Sequence, residues 1–131
     1  GPLYGTAFMK AGNACKGKNE ITDAEFVAAF NAAVEGIKMR GKAVEGEKTM
    51  LDALCPAYKA LKDGVDAGKN LTDALKDGVD AAAKGVEYTK TIIATKGRAS
   101  YLGERSIGHQ DPGATSSTLM LEAILDYMKA K

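Results

Sequence analysis

Apolar side chains recur at intervals of three and four residues along most of this sequence, the spacing that keeps them on one face of an α-helix. The stripe formed by Phe26, Ala29, Phe30, Ala33 and Ile37 is one example. We find no run of alternating apolar and polar residues bounded by hairpin turns, which a half-buried strand requires. The sequence therefore predicts an all-α fold.

Five helical segments follow from this periodicity: about 2–14, about 22–39, a third that begins at 49, about 70–95, and a fifth from 112 to the C-terminus. Pro56 lies inside the third segment and is expected to kink or divide it. Short connections favour antiparallel neighbours in an up-and-down bundle or barrel. We expect residues 1–131 to form a single domain.

Polar residues mark the starts of several of these segments. Thr22 and Glu25 have the spacing of a capping box. Asn70 stands at the start of the fourth segment, and Asp111 precedes Pro112 at the start of the fifth, where proline suits the first helical position. These residues predict where the helices begin.

The balance of charges limits the class of protein. Lysine and arginine number 18 and aspartate and glutamate 17, so the chain lacks the basic surplus of a general nucleic-acid binder. No apolar run approaches the roughly 20 residues that span a bilayer, and the start lacks the pattern of a signal peptide. Cys15 and Cys55 have no metal-binding spacing; buried thiols in a reducing cytoplasm are favoured, although a disulfide is possible on number alone.

Two glycine-rich connections stand out from the helices. The first covers residues 40–50, where Gly41 and Gly46 permit unusual backbone conformations and Thr49 is expected to cap the next helix. A helix N-terminus can bind an anion through its free amides. The segment is not a Walker P-loop, because the strand–loop–helix context is missing.

The second connection, residues 96–114, carries two of the three arginines, Arg98 and Arg105; the third, Arg40, lies in the first connection. Arginine's fork of donors matches phosphate or carboxylate, so this placement indicates an anion site, with chance placement or a structural ion pair as the alternative. His109, the single histidine, is read as a loop residue that fixes backbone geometry rather than as an acid–base catalyst.

The two connections are expected to meet. In an antiparallel up-and-down array, the junction of the second and third helices and that of the fourth and fifth lie at the same end. The start of the first helix faces that end too. The unusual residues should therefore share one rim of the molecule.

Two stretches resemble the signature segments of the L-subunit family of phosphotransferase-dependent dihydroxyacetone kinases: GEKTMLD at 46–52 and GRASYLGERSIGHQDPGA at 97–114. The first five residues, GPLYG, are similar to the end of that family's phosphate loop. ATP-dependent relatives share the Asp-Pro-Gly-Ala ending but usually differ over 101–110. That difference favours the phosphotransferase-linked branch; the nucleotide domain of an ATP-dependent dihydroxyacetone kinase is the alternative.

The resemblance implies a fold and an activity. The family fold is a barrel of about eight antiparallel helices, of which this chain holds about five. It implies a cytoplasmic transferase in which ADP, held with magnesium, receives a phosphoryl group from a phosphotransferase-linked M subunit and passes it to dihydroxyacetone on a K subunit. A transcription regulator is a further possible partner; neither nucleic acid nor membrane is implied.

The resemblance also implies site residues, by matching motif positions. Gly41 and Met50 are expected to contact the base or ribose, and Arg98 to stabilise charge near the phosphates. Residues expected to line the nucleotide pocket as a whole are Gly1, Gly41, Met50, Arg98, Asp111, Pro112 and Gly113.

One departure from the family pattern concerns the metal. The family's Gly-Asp-x-Asp segment, which binds magnesium, has no counterpart here, so no metal ligand is expected in this chain. The first helix also starts without a cap region, which suggests that the chain begins inside a larger unit. Since phosphoryl transfer relies on metal, we expect the chain alone to be inactive and to bind ADP weakly.

Overall fold

The computed structural model describes residues 22–42, 44–94, 103 and 105–130. These ranges contain four α-helices: α1 (Asp23–Gly41), α2 (Leu51–Asp66), α3 (Leu71–Thr89) and α4 (Pro112–Lys129). No strand occurs within them, so the prediction of an all-α fold is confirmed. The first predicted helix lies outside the described residues, and barrel closure stays a prediction.

The predicted caps of α1 and α4 are confirmed, and α3 starts near Asn70, as predicted, with that residue as its N-cap. The side chains of Thr22, Asn70 and Asp111 each accept a hydrogen bond from the backbone N–H three residues further on, at 2.8–3.0 Å. Glu25 completes the capping box by accepting from the Thr22 N–H at 3.4 Å. Each cap satisfies an amide that has no partner within its helix.

The start of α2 differs from the prediction. Thr49 was expected as its N-cap, but the helix begins at Leu51 and Met50 is the N-cap, without a side-chain cap bond. The Asp52 carboxylate accepts from the N–H groups of Gly46 (2.6 Å) and Thr49 (3.0 Å) and draws this stretch into a turn. The Thr49 hydroxyl still accepts from the Leu51 N–H at 3.2 Å.

The end of α3 also differs, because the helix stops short of the predicted range 70–95. In a continued helix the N–H of residue 94 would donate to the carbonyl of residue 90. Instead the Ala94 N–H donates to Ser106 Oγ at 3.0 Å, and the Lys90 carbonyl accepts from the Gly108 N–H at 2.6 Å. The connection that follows α3 thus forms hydrogen bonds with the Ala94 N–H and the Lys90 carbonyl, and the helix ends.

Helices α2 and α3 form a close antiparallel pair. Gly64 near the end of α2 faces Ala74 near the start of α3, where an added Cβ would lie 3.0 Å from the alanine Cβ. At the other end of the pair, Gly85 lies so close to Asp52 that any Cβ would overlap its carbonyl. Small residues thus let the two backbones approach.

Pro56 does not divide α2, which is continuous through it. Because proline lacks an N–H, the Asp52 carbonyl receives no helical hydrogen bond from residue 56. The Gly85 backbone lies against this same carbonyl, a position suited to a weak Cα–H···O contact. The neighbouring helix therefore covers the carbonyl that the proline leaves.

The core lies along α2, which contacts each of the other three helices. The rings of Phe30 on α1 and Tyr58 on α2 lie 6.0 Å apart between centroids. The largest fully buried side chains of the core are Leu51, Leu54, Leu61, Leu75, Leu121 and Val34.

Cys55 is a buried free thiol, as predicted, and burial raises its pKa to about 11. Cys15 lies outside the described residues. None of the described helices combines the length and apolar character that a bilayer crossing needs.

Candidate functional site

The starts of α2 and α4 meet at one end of the bundle, which we call the rim. Gly113, in the first turn of α4, packs against Met50: an added Cβ would lie 3.5 Å from Met50 Cβ and 3.6 Å from Met50 N. The same Cβ would lie 3.1 Å from Asp111 Oδ2. The structure therefore brings together three of the residues predicted from sequence.

The other predicted site residues are placed less fully. Pro112 is the first residue of α4. Gly41 is the last residue of α1, and the left-handed position falls on the next residue, Lys42, with φ of +48°. Gly1 and Arg98 lie outside the described residues, so their roles stay predictions.

The end of α3 fixes the start of α4. The Asp111 N–H donates to Thr89 Oγ1 at 2.9 Å, and the Thr89 hydroxyl donates to the Val86 carbonyl at 2.5 Å. Thr89 is fully buried, so this bond is shielded from competing water. The position of Asp111 is thus set from the α3 side, while its carboxylate caps α4.

The rim carries buried charges. Burial raises the pKa of Asp111 above its ordinary value; the N–H of Ala114 opposes the shift, the nearby Asp52 carboxylate adds to it, and Lys48 lowers it. Asp52 is 2% exposed and Lys48 4% exposed. Two buried carboxylates and one buried ammonium group therefore lie close together at this end of the described chain.

Lys48 is a residue that sequence reasoning missed. Its Nζ donates to the carbonyl of Ser106 and, at 3.4 Å, to that of Ile92. Ser106 and Thr89, both buried and hydrogen-bonded, were missed too. Each is an ordinary polar residue whose importance depends on partners far along the chain, and no local pattern marks it.

Few hydrogen-bond donors in the described part of the rim remain free for an anion. The Ala114 N–H already donates to the Asp111 carboxylate, and Pro112 has no N–H. The start of α4 therefore offers few donors to an anion. The Lys48 ammonium group is engaged by backbone carbonyls. What remains is the apolar Met50 beside a carboxylate that can accept from hydroxyl or amino groups.

The described residues do not fit a magnesium site. No three His, Cys, Asp or Glu side chains among them are grouped so that they could hold a metal ion. The two rim carboxylates, Asp52 and Asp111, each accept hydrogen bonds from backbone N–H groups, and no third such side chain among the described residues accompanies them.

Comparison with known proteins agrees with the resemblance. The sequence model of a family described as the DAK2 domain matches residues 1–126. The ADP-binding subunit DhaL of a PEP-dependent dihydroxyacetone kinase from Escherichia coli is 41% identical over 124 residues, which cover 95% of this chain and 59% of that protein. The corresponding subunit of kinase 1 from Listeria innocua is 50% identical over 126 residues, covering 95% and 57%.

A more distant relative is larger. The triokinase/FMN cyclase of Bos taurus is 34% identical over 131 residues, which are 100% of this chain and 22% of that protein. The chain thus spans less than three fifths of the length of the two bacterial subunits and a smaller share of the bovine enzyme.

Proposed function

Because this chain belongs to the DAK2 domain family, we propose that it contributes the ADP-binding site of a phosphotransferase-dependent dihydroxyacetone kinase. The support is the identity of 41% and 50% to two ADP-binding subunits, against 34% to the bovine triokinase. The geometry agrees, because the contact between Met50 and Gly113 joins the two connections at one rim.

In this proposal each rim residue has a physical task. Met50 packs on the apolar face of the adenine, and Gly113 leaves space that a side chain would fill. Asp111 accepts a hydrogen bond from a ribose hydroxyl or the exocyclic amino group. Arg98 stabilises negative charge on the transferring phosphoryl group. Gly1, Gly41 and Pro112 are proposed to line the same pocket.

When bound, ADP would supply the terminal phosphate that accepts the phosphoryl group from one protein and passes it on to the acceptor. We propose a cytoplasmic M-type phosphotransferase protein as donor and dihydroxyacetone on a K subunit as acceptor. Magnesium is expected with the nucleotide because phosphoryl transfer needs its charge, although the described residues supply no site for it.

The contact between Met50 and Gly113 carries the proposal, and Gly113→Val tests it. The valine side chain is expected to displace Met50 and to fill the space proposed for the base, which should weaken ADP binding about tenfold or more. Calorimetric titration with ADP and magnesium gives the affinity, and circular dichroism checks that helicity is kept. Gly36→Ala is the matched control, because nothing lies within 4 Å of an added Cβ there.

Unchanged ADP affinity in a folded Gly113→Val variant would contradict the placement of the base at this rim. The phosphoryl donor separates the two candidate activities. The assay carries this segment within a full-length subunit, with the K subunit and dihydroxyacetone present. Transfer from the phosphorylated M-type protein and not from ATP supports the subunit role, while turnover with ATP alone supports an ATP-dependent kinase.

A further inference from the structure

Lys48 is a buried lysine at the rim to which the proposed nucleotide chemistry gives no task. It is 4% exposed, and its backbone has φ of +61°, in the left-handed region that residues with a side chain seldom adopt. Burial of the charge and this backbone conformation both cost free energy. The contacts of Lys48 must therefore offset that cost.

The ammonium group of Lys48 joins two limbs of the long connection between α3 and α4: residues 90–94, which follow α3, and residues 105–110, which precede α4. It donates to the carbonyl of Ile92, just after α3, at 3.4 Å and to that of Ser106, before α4. Lys48 itself lies in the loop that precedes α2. One side chain thus ties three separate stretches of backbone together.

Ser106 extends this arrangement. Its hydroxyl accepts from the Ala94 N–H at 3.0 Å and donates to the Gly103 carbonyl at 2.7 Å. The next link is the bond of 2.6 Å from the Gly108 N–H to the Lys90 carbonyl. The two limbs are therefore bonded to each other beside the point where Lys48 holds both.

The charge of Lys48 also matters at this position. Asp52 and Asp111 are buried carboxylates, and both Asp52 and Lys48 act electrostatically on Asp111. Without the ammonium group, two buried negative charges would face each other with less compensation, which favours separation of the first turn of α2, which carries Asp52, from the connection that carries Asp111. The cation and its hydrogen bonds act in the same direction.

We propose that Lys48 is a positioning residue for nucleotide binding: its ammonium group holds the connection that precedes α4 against the loop that precedes α2, and so keeps Gly113 in place beside Met50. This inference rests on the proposed function, which supplies the ligand. Lys48 itself does not touch the nucleotide; it acts through the backbone that it joins.

Substitution of Lys48 tests the proposal by ADP affinity. Lys48→Met keeps the length of the side chain and removes its donors. It is expected to weaken ADP binding about tenfold or more, because losing a charge-assisted hydrogen bond lowers the population of the ordered rim that binds ADP. Lys48→Gln keeps N–H donors without the charge and should recover part of the affinity. The control is Lys62→Met, because Lys62 forms an exposed pair with Asp66 on α2.

Hydrogen exchange gives a second readout that needs no nucleotide. In Lys48→Met the amides of Ala94 and Gly108 should exchange faster, while the core amides of α3 keep their protection. If Lys48→Met does not fold, the same comparison is made on Lys48→Gln, with a smaller increase expected.

Three results would overturn the proposal: wild-type ADP affinity in the folded Lys48 variants, unchanged exchange at Ala94 and Gly108, or an equal rise in exchange throughout α3. The last would show that Lys48 supports the whole fold rather than the rim. If the unmodified protein does not bind ADP, the proposed function fails, and exchange alone still shows whether Lys48 orders this connection.

Discussion

Two opposing influences act on the ionisation of Asp111. Its carboxylate caps α4, which favours the ionised form, yet burial and the neighbouring Asp52 raise its pKa. A raised carboxyl pKa means that the folded state holds the proton more tightly than the unfolded state does. The stability that Asp111 contributes should therefore fall as pH rises from the ordinary value of 3.8 through the higher folded value.

Asp111→Asn keeps the cap and removes the charge, because asparagine also caps helices through its side-chain oxygen. We expect this variant to be at least as stable as the wild type at neutral pH, and to lose the part of the pH dependence that Asp111 contributes. Asp111→Ala, which removes the cap, should lose about 1 kcal/mol. Urea unfolding from acidic to neutral pH measures both; a steeper decline with pH in Asp111→Asn would refute the assignment.

At the scale of elements, the pairing of α2 with α3 depends on the absence of a side chain at residue 85. A methyl group there would overlap the carbonyl of Asp52, a backbone atom that cannot rotate away. The two helices would have to separate locally, and the buried leucines on either side would lose contact.

We expect Gly85→Ala to destabilise the protein by about 3 kcal/mol, despite the better helix propensity of alanine. Gly36→Ala on α1, where an added Cβ meets nothing within 4 Å, should instead stabilise by about 0.5–1 kcal/mol. Chemical unfolding of the two variants gives the comparison. Equal effects of the two substitutions would mean that α2 and α3 do not approach this closely.

The elements also show what the sequence can predict. The caps at Thr22, Asn70 and Asp111 involve residues three positions apart, so their pattern is visible in the sequence. The predicted end of α3 was wrong because the Ala94 N–H and the Lys90 carbonyl are hydrogen-bonded to Ser106 and Gly108. These are tertiary contacts, which the local sequence does not show.

For the whole molecule, the up-and-down order of the helices places the connections at the rim. This order allowed the meeting of Met50 with Asp111 and Gly113 to be expected from sequence and family resemblance. The interior of the rim was not predictable in the same way. The contact of Lys48 with Ser106 spans 58 positions and needs a left-handed backbone, and no local motif signals either feature.

Binding at the rim should stabilise the entire bundle, since ADP is expected to bind the folded state and not the unfolded chain. At a concentration of about 100 times its Kd, ADP with magnesium should add about 2.7 kcal/mol and raise Tm by roughly 10 °C. Gly113→Val should show little of this shift at the same concentration. Differential scanning calorimetry measures it, and an equal rise in both proteins would argue for a site elsewhere.

Asp52 contacts two different parts of the molecule, one through its side chain and one through its backbone. Its carboxylate shapes the turn before α2 through the N–H groups of Gly46 and Thr49, while its carbonyl faces Gly85 on the next helix. A bulky replacement at 85 would push the turn as well as the helix. A mutational scan scored only by ADP binding would therefore report 85 as a ligand-contacting position, and a parallel abundance measurement is needed to classify it correctly.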